Sequence, residues 1–304
     1  MIQILKNANY DFQSKRRIAL AISAIVIVIG LIVTVARRGP NYSIDFVGGM
    51  EAILRFEKPI TEGELRKELA IIGYPDAELK SIAGGGYQDI MIRIEQTAAG
   101  EKTIDTITQQ LTDVFKDNPI TLRSIETVGP KIGHELRRAA FLAVLASLIL
   151  IVLYMSWRFQ YRYGVAAVLA TAHDVLVVFG LFSILNLQIS LTIIAAFLTI
   201  VGYSLNDKIV VFDRVRENVK KLRSKSFIEQ INISINETLS RTLLTGSTTI
   251  MVLIVLFFFG GSVIHDFTFA MLSGIIIGTY SSIYIASPIV IEWNLRYPEK
   301  RKKK

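Results

Sequence analysis

The sequence predicts an α-helical multi-pass membrane protein, with six transmembrane helices and one ferredoxin-like α+β extracytoplasmic domain between helices 1 and 2. Three observations lead to this prediction. Hydrophobic residues make up 51% of the 304 residues and the mean hydropathy is +0.44, which exceeds that of an ordinary soluble domain. Six apolar runs are each long enough to cross about 30 Å of hydrocarbon. The one long segment between two runs alternates strand-like and helix-like patterns.

The first predicted span is 18–36, after a cytoplasmic N-terminus at 1–17. Its basic start, Lys15 to Arg17, is similar to that of a signal peptide. The apolar run is about 19 residues long, however, which is longer than the roughly 7–15 residues of a signal peptide, and no small-residue cleavage site follows it. We therefore predict a retained transmembrane helix.

The segment 37–138 is predicted to be the extracytoplasmic domain. EAILRFEK has the alternation of a strand, and TEGELRKELAIIGY has a helical pattern with a capping box at Thr61 and Glu64. AELKSIA and QDIMIRIEQ flank the hairpin signal 84–86, and a helix at 102–118 precedes the strand ITLRSIETV. The order β-α-β-β-α-β is that of a ferredoxin-like fold. Because this fold hosts unrelated functions and the sequence carries no nucleotide loop, metal cluster or catalytic triad, we expect a role in contacts, without enzymatic activity, cofactor or metal.

Five further spans are predicted within 139–291, and a basic cytoplasmic tail follows at 292–304. The spans are placed near 139–156, 164–184, 189–211, 242–260 and 267–291. Lys and Arg crowd the N-terminus, the 157–163 loop, the 212–241 loop and the tail, whereas loops 185–188 and 261–266 contain none. This asymmetry places both termini in the cytoplasm. The net charge of +8 therefore indicates orientation beside membrane lipid rather than nucleic-acid binding, and the absence of cysteine excludes disulfides and metal thiolates.

Three ionisable residues within or beside the spans are candidates for proton coupling: Asp207, Arg241 and, secondarily, Asp174. Asp174 lies near the middle of span three, and a carboxylate at the centre of a helix costs about 2.5–3.5 kcal/mol on insertion scales. Asp207 lies in the cytoplasmic third of span four and Arg241 where span five begins. Since these two spans form an antiparallel hairpin, the two side chains are expected at similar depth and able to pair.

Structural interpretations of the same residues stay open. Lys208 is expected to snorkel to the lipid headgroups. Arg241 either snorkels, or forms a fixed ion pair that only stabilises the bundle. Asp174 is either part of a proton relay or a neutral core acid, satisfied by His173 or a hydroxyl group.

Small residues at four-residue spacing indicate close helix packing. Gly274 and Gly278 form such a pair in the sixth span, and Ala139, Ala143 and Ser147 share one face of the second. This spacing lets helix backbones approach each other. We expect such faces to pack against partner helices.

Several longer motifs resemble the SecF family of bacterial protein export. They are IDFVGGM at 44–50, ETVGPKIGHEL at 126–136, AHDV at 172–175, GYSLNDKIVVFDRVREN at 202–218, NETLSRTLLTGSTT at 236–249, GGSVIHDF at 260–267 and GTYSSIYIASP at 278–288. The motifs occur in the family's order and cover nearly the whole chain.

This resemblance implies membership of the resistance-nodulation-division superfamily and a function in the bacterial inner membrane. It implies a SecD-like partner, with which such chains use the proton-motive force to promote protein export beside the SecYEG channel. YajC and YidC are further candidate partners, and exported polypeptides are the substrates. The family's GYSxND motif assigns the proton-coupling Asp to Asp207, and its LxRT motif assigns the Arg to Arg241.

Two other functions stay open from the sequence. The first is a proton-coupled small-molecule exporter of the same superfamily, which drug or lipid efflux would reveal. The second is a purely structural translocase subunit, in which the buried charges serve assembly only. Loss of complex rather than loss of export, on substitution of Asp207, would favour the structural subunit.

The charge asymmetry predicts which loops lie on each side of the membrane. Single cysteines introduced at Ser81 and Ser224 should react with impermeant reagents from opposite sides, because Ser81 lies in the extracytoplasmic domain and Ser224 in a basic loop. Labelling of intact cells and of inverted vesicles measures this. Reaction of both cysteines from the same side would contradict the predicted topology.

Overall fold

A computed structural model describes residues 9–75, 77–84, 87–94, 104–158 and 160–297. Residues 1–8, two glycines of the predicted hairpin and most of the predicted basic tail, 298–304, lie outside the described residues. The described chain divides into two compact units, Tyr42–Leu142 and the remainder.

The unit Tyr42–Leu142 contains a four-stranded sheet and two longer helices. The helix α1 (Arg16–Ala36), which precedes it in the chain, belongs to the other unit. The first element of the unit Tyr42–Leu142 is α2 (Ile44–Val47). The elements continue with β1 (Gly49–Phe56), α3 (Glu62–Ile71), β2 (Glu78–Gly84), β3 (Tyr87–Ile94), α4 (Ile104–Val114) and β4 (Ile120–Val128). All paired strands are antiparallel, in the order β2-β3-β1-β4. From β1 to β4 the elements therefore follow the order β-α-β-β-α-β.

Alternation along β1 and β3 makes the core of this unit. Alternate residues of each strand are buried, including Leu54 and Phe56 of β1 and Ile92 of β3, which cluster with Leu65 of α3 and Leu111 of α4. The predicted start of α3 is confirmed. The Thr61 hydroxyl accepts from the Glu64 amide at 3.2 Å, and the Glu64 carboxylate accepts from the Thr61 amide at 3.1 Å. This capping box satisfies two of the free amides at the helix start.

The strand β1 begins at a pair of glycines that the backbone requires. Gly48 has φ of 81° and Gly49 has φ of 144°, a region that residues with a Cβ rarely adopt. A Cβ on Gly133, in the helix after β4, would lie 3.1 Å from the Gly48 nitrogen. The IDFVGGM motif therefore encodes a backbone turn that lies close to Gly133.

A charged pair of β1 and β3 lies on the sheet face opposite the helices. Arg55 donates two hydrogen bonds to the Asp89 carboxylate, at 2.6 and 2.7 Å, and its guanidinium lies 5.0 Å from the centre of the Tyr87 ring. The hydrogen bond from Arg55 is the main reason that the pKa of Asp89 lies below its ordinary value. A lowered acid pKa stabilises the fold above the unfolded-state pKa, and this contribution is lost as the pH falls through the folded-state value.

The other unit consists of long helices. They are α1, α5 (Pro130–Arg158), α6 (Tyr161–Leu185), α7 (Leu191–Lys221), α8 (Phe227–Phe259), α9 (Ser262–Ser281) and α10 (Ser287–Arg296), with a π-helix, Ser282–Ala286, joining the last two and α5 beginning in the first unit. Six helical segments are long and apolar enough to cross a membrane: Gln13–Ala36, Lys131–Arg158, Tyr161–Leu185, Leu191–Lys221, Phe227–Phe259 and Ile264–Arg296. The predicted number of spans is thereby matched within the described residues.

The segment 212–241, expected as a loop, is mostly helical. α7 continues to Lys221 and α8 starts at Phe227, so the connection is short. Charged side chains hold the two helical extensions together, because Arg214 binds Glu217 on its own helix and Glu237 on α8 at 2.6 Å, and Asn218 also binds Glu237 at 2.6 Å. Pairs three or four residues apart support a solvated helix, which hydropathy alone does not reveal.

The end of the N-terminal segment is tied to α8 and to the π-helix. The side-chain amide of Asn236 accepts from the Tyr10 nitrogen at 2.8 Å and donates to the Tyr10 carbonyl at 2.9 Å, and Asn232 binds the Phe12 nitrogen at 3.0 Å. The Gln13 amide then donates to the Ile283 carbonyl at 3.3 Å. These bonds attach the residues before the first span to the helical unit.

The first span packs against α6 through two glycines. A Cβ on Gly30 would lie 2.5 Å from the Cα of Gly180, so the two backbones are in direct contact. One turn further on, the Thr34 hydroxyl donates to the Ser183 hydroxyl at 2.8 Å. Small residues and interhelical hydrogen bonds are the usual sources of helix association in lipid.

Gly30→Ala should therefore destabilise the helical unit, because the added methyl group forces α1 and α6 apart. We expect a loss of roughly 1–3 kcal/mol, typical of overpacking. Thermal unfolding of the purified chain in detergent measures it. Gly202→Ala, in α7, is the matched control, since nothing lies within 4 Å of a Cβ at that position. Equal stability of the two variants would show that the contact between the glycines contributes nothing.

Candidate functional site

A buried ion pair lies between α6 and α7. The Nζ of Lys208 is 2.7 Å from Oδ2 of Asp174, and both side chains are 0% exposed. The expectation that Lys208 snorkels to the headgroups is wrong. Its ammonium points into the bundle because a buried carboxylate on the neighbouring helix compensates its charge.

Hydroxyl groups and an imidazole complete the coordination of Asp174. Oδ2 also accepts from the hydroxyl of Ser281 in α9 at 2.8 Å and from the hydroxyl of Ser204 in α7. Oδ1 lies 2.9 Å from Nδ1 of His173. The sequence prediction that His173 or a hydroxyl would satisfy Asp174 is confirmed, with both kinds of group taking part. The alternative of a neutral acid is less consistent with a Lys208 ammonium at 2.7 Å.

Lys208 is also fully hydrogen-bonded. Besides Asp174, its ammonium contacts the Ser204 hydroxyl and lies 3.4 Å from the Ser204 carbonyl oxygen. An ammonium has three donors, so each has an acceptor. Of the polar atoms in this cluster, Nε2 of His173 is the one that the described part of the chain leaves buried without a partner.

Asp207 lies beside this pair but points elsewhere. Its residue is 3% exposed, and its Oδ2 accepts from the hydroxyl of Thr279 in α9 at 3.4 Å. α8 passes close to the same hydroxyl, since a Cβ on Gly246 would lie 3.6 Å from it. Asp207 is therefore a buried carboxyl group at the junction of α7, α8 and α9.

The expected direct pair between Asp207 and Arg241 is not formed. Arg241 is exposed, and within the described ranges no nitrogen of Arg241 lies within 4.0 Å of an Asp207 oxygen. The two helices are antiparallel neighbours, as predicted. What the sequence did not reveal is which way the Arg241 side chain leaves α8.

The close approach of α7 and α9 brings these groups together. A Cβ on Gly278 would lie 3.0 Å from the Cβ of Ser204, and one on Gly274 would lie 2.4 Å from atoms of Ile200. The paired glycines therefore pack within this chain rather than against a partner. Ala139 and Ala143 of α5, by contrast, remain exposed.

Sequence comparisons connect this geometry with a known family. The family described as protein export membrane protein SecD/SecF, C-terminal, matches residues 106–296, and the SecD/SecF GG motif matches 34–60. A protein translocase subunit SecF of Desulfurispirillum indicum is 45% identical over 96% of this chain and 94% of its own length. One of Thermodesulfovibrio yellowstonii is 42% identical over 96% and 97%, respectively.

In longer relatives, a counterpart of this chain forms one part of the polypeptide. A protein translocase subunit SecDF of Thermus thermophilus is 42% identical over 96% of this chain but only 40% of its own length. The crystal structure of SecDF, a translocon-associated membrane protein from Thermus, matches with a TM-score of 0.87 at 41% identity, over 95% of this chain and 39% of that one. The chain thus spans about two fifths of the SecDF chains.

The interhelical bond from Ser281 predicts a stability difference between adjacent serines. Ser281→Ala removes a donor to the buried Asp174 and should cost about 1.5–3 kcal/mol, the range for hydrogen bonds to charged groups. Ser282→Ala is the matched control, because the Ser282 hydroxyl is equally buried but donates at 2.8 Å to the Thr279 carbonyl of its own helix. Thermal unfolding in detergent compares them, and an equal loss would contradict a contribution from the bond to Asp174.

Proposed function

We propose, on the premise that this chain belongs to the SecF family of protein-export membrane proteins, that it couples the proton-motive force to protein export through Asp207. As a member of that family it is an accessory subunit of the Sec translocase and a multi-pass protein of the bacterial inner membrane. Its relatives are protein translocase subunits. The coupling step and the residues that carry it are the proposal.

The observation that carries the proposal is the environment of Asp207. The carboxyl group is buried and, among the described residues, its one side-chain hydrogen bond is a long one to Thr279, at 3.4 Å. Asp174, one helix away, already has the cation in contact with it. A buried acid without a contacting cation is the kind of group whose protonation state a conformational change can reverse.

The proposed cycle uses Arg241 as the variable counter-charge. When Arg241 approaches Asp207, the ionised carboxylate is favoured; when it withdraws, a dry environment favours the protonated acid. Alternation between these states on opposite sides of the membrane would bind a proton on one side and release it on the other. A potential of 100 mV supplies about 2.3 kcal/mol per charge, so a large mechanical step needs several protons. For Asp174, the secondary candidate, the two proposed roles are a proton relay and a purely structural group.

A SecD-like chain is the proposed partner. The SecDF relatives carry this chain's counterpart within a polypeptide more than twice as long, which supports a second subunit here. The outward faces of α5 and of the second half of α8 are apolar and exposed, including Phe141, Leu153, Met251 and Phe258, and such a partner would cover part of them. SecYEG, YajC and YidC are the further proposed partners, and exported polypeptides the substrates.

The orientation and the domain limits follow the predicted topology. We place residues 37–138 outside the cytoplasm as a ferredoxin-like domain, the spans within 18–36 and 139–291, and both 1–17 and 292–304 in the cytoplasm. The antiparallel sheet order β2-β3-β1-β4 and the β-α-β-β-α-β sequence of elements support the ferredoxin-like assignment.

Substitution of Asp207 tests the coupling. Asp207→Asn keeps the size and hydrogen bonding of the side chain but cannot exchange a proton, so the complex should assemble while proton-driven export falls at least about tenfold, by the cost of losing a coupling acid. Asp207→Glu should retain more export than Asp207→Asn. Arg241→Met should assemble yet fail in coupling, because Asp207 then stays protonated. Export into inverted vesicles under an imposed proton gradient, normalised to complex content, is the measurement.

Asp213→Asn is the matched control, since Asp213 lies on the same helix with its side chain 43% exposed. It should export like the wild type. If Asp207→Asn responds to the gradient like the wild type, Asp207 is not the coupling site. If it instead lowers the amount of complex, the structural role replaces the coupling role.

A further inference from the structure

We infer that Lys208 and Asp174 form a permanently ionised pair that transfers no proton, and that Lys208 is a positioning residue for Asp207. This inference rests on the proposed function, because it names the residue that fixes Asp207 and removes Asp174 from the proton path. It assigns to Lys208 a role that the sequence pattern did not indicate.

The first argument is the complete hydrogen bonding of both members. Lys208 directs its three donors to Asp174 and to the hydroxyl and carbonyl oxygens of Ser204. Asp174 accepts from Lys208, Ser204 and Ser281, and its Oδ1 lies 2.9 Å from Nδ1 of His173. Protonation of Asp174 would leave the buried ammonium without its counter-ion and set a new donor among existing donors. Deprotonation of Lys208 would leave the carboxylate without its cation. Either change is costly in a buried site.

The second argument is the charge balance of the cluster. The charged and titratable groups that face Asp174, among the described residues, are Lys208 from α7 and His173 from its own helix, whereas α9 contributes the hydroxyl of Ser281. One carboxylate and one ammonium cancel. The pair therefore adds no net charge to the bundle, and Asp207 is left as the neighbouring acid whose charge no contacting cation cancels within the described residues.

The third argument is the direction that the pair gives to α7. Successive residues of an α-helix point about 100° apart. With the Lys208 side chain held toward α6 by Asp174, the preceding side chain, Asp207, is turned toward Thr279 of α9 and the nearby Gly246 of α8. The ion pair thereby fixes the rotation of α7 and presents Asp207 to the helix that carries Arg241.

A double-mutant cycle tests the inference in the full chain with its partner subunit. Asp174→Asn and Lys208→Met, each alone, leave one buried charge unpaired, and each should lower the yield of folded complex at least about fivefold, since breaking a buried pair is strongly destabilising. The double variant removes both charges at once and should recover to within about twofold of the wild type, because a neutral replacement of both partners is often tolerated. Arg158→Gln and Asp213→Asn, an exposed pair at 3.5 Å, form the control cycle, with no loss expected.

Export by the double variant separates positioning from proton transfer. If the pair positions Asp207 but transfers no proton, the double variant still exports under an imposed proton gradient, at a rate per complex about threefold below the wild type, because α7 has lost the pair that fixes its rotation. Export at the full wild-type rate would refute the positioning role. Infrared difference spectra should show the same titrating carboxylic-acid signal in the wild type and the double variant, and loss of that signal in Asp207→Asn.

Three further outcomes would overturn the static ion pair. They are normal complex yield in both single variants, a double variant that assembles no better than the worse single variant, and an assembled double variant that lacks export or the titrating signal. The yields do not depend on export, so they judge the ion pair even if Asp207 proves not to be the coupling acid. An absent signal change in Asp207→Asn, with the double variant rescued in yield, would refute the proposed function and leave the ion pair standing.

Discussion

A charge held inside an apolar helix bundle must be compensated by the bundle itself, and this requirement organises the helical unit. The carboxylate of Asp174 is buried, so three helices supply the polar groups around it: His173 from α6, Ser204 and Lys208 from α7, and Ser281 from α9. Because all of these groups must come within hydrogen-bond distance of one carboxylate, the depth and rotation of the three helices are set together. Intramembrane charges are expensive, and they persist where such coordination exists.

Short side chains bring the donors close enough. The side chains of serine and glycine are small. The contact of Gly278 with Ser204 therefore lets α9 come near α7, so that Ser281, one turn away, contacts Asp174. The contact of Gly30 with Gly180 does the same for α1 and α6. Close backbone packing and polar coordination are thus one arrangement in this bundle. A larger residue at a glycine displaces not only a helix but also the donors that it carries.

The sequence predicted what depends on composition and local pattern. The six spans follow from hydropathy, and the capping box at Thr61 follows from its spacing to Glu64. The rotation of a helix about its own axis does not follow, because neighbouring helices decide it. For this reason Lys208, one residue beyond Asp207, was expected at the lipid headgroups but lies buried against Asp174. The same limit applies to Arg241. The hairpin of α7 and α8 predicts a depth similar to that of Asp207, but hydropathy cannot indicate the direction in which the Arg241 side chain leaves α8.

The distribution of burial suggests which helix supplies the variable part of the site. α6, α7 and α9 bury their polar groups among themselves, and their register is fixed by the bonds to Asp174. Arg241 lies on α8, which meets the site through Gly246, beside Thr279. α8 is also bound to α7 on both sides of Asp207, by Tyr203 to Thr245 and by Arg214 to Glu237. Because these bonds hold the backbone of α8, the proposed approach to Asp207 falls to the exposed side chain of Arg241, whereas complete hydrogen bonding holds Asp174 and Lys208 in place. In the proposed mechanism the fixed charges and the variable charge therefore reside on different helices, so that Arg241 can approach and leave Asp207 while the carboxyl group itself stays in place.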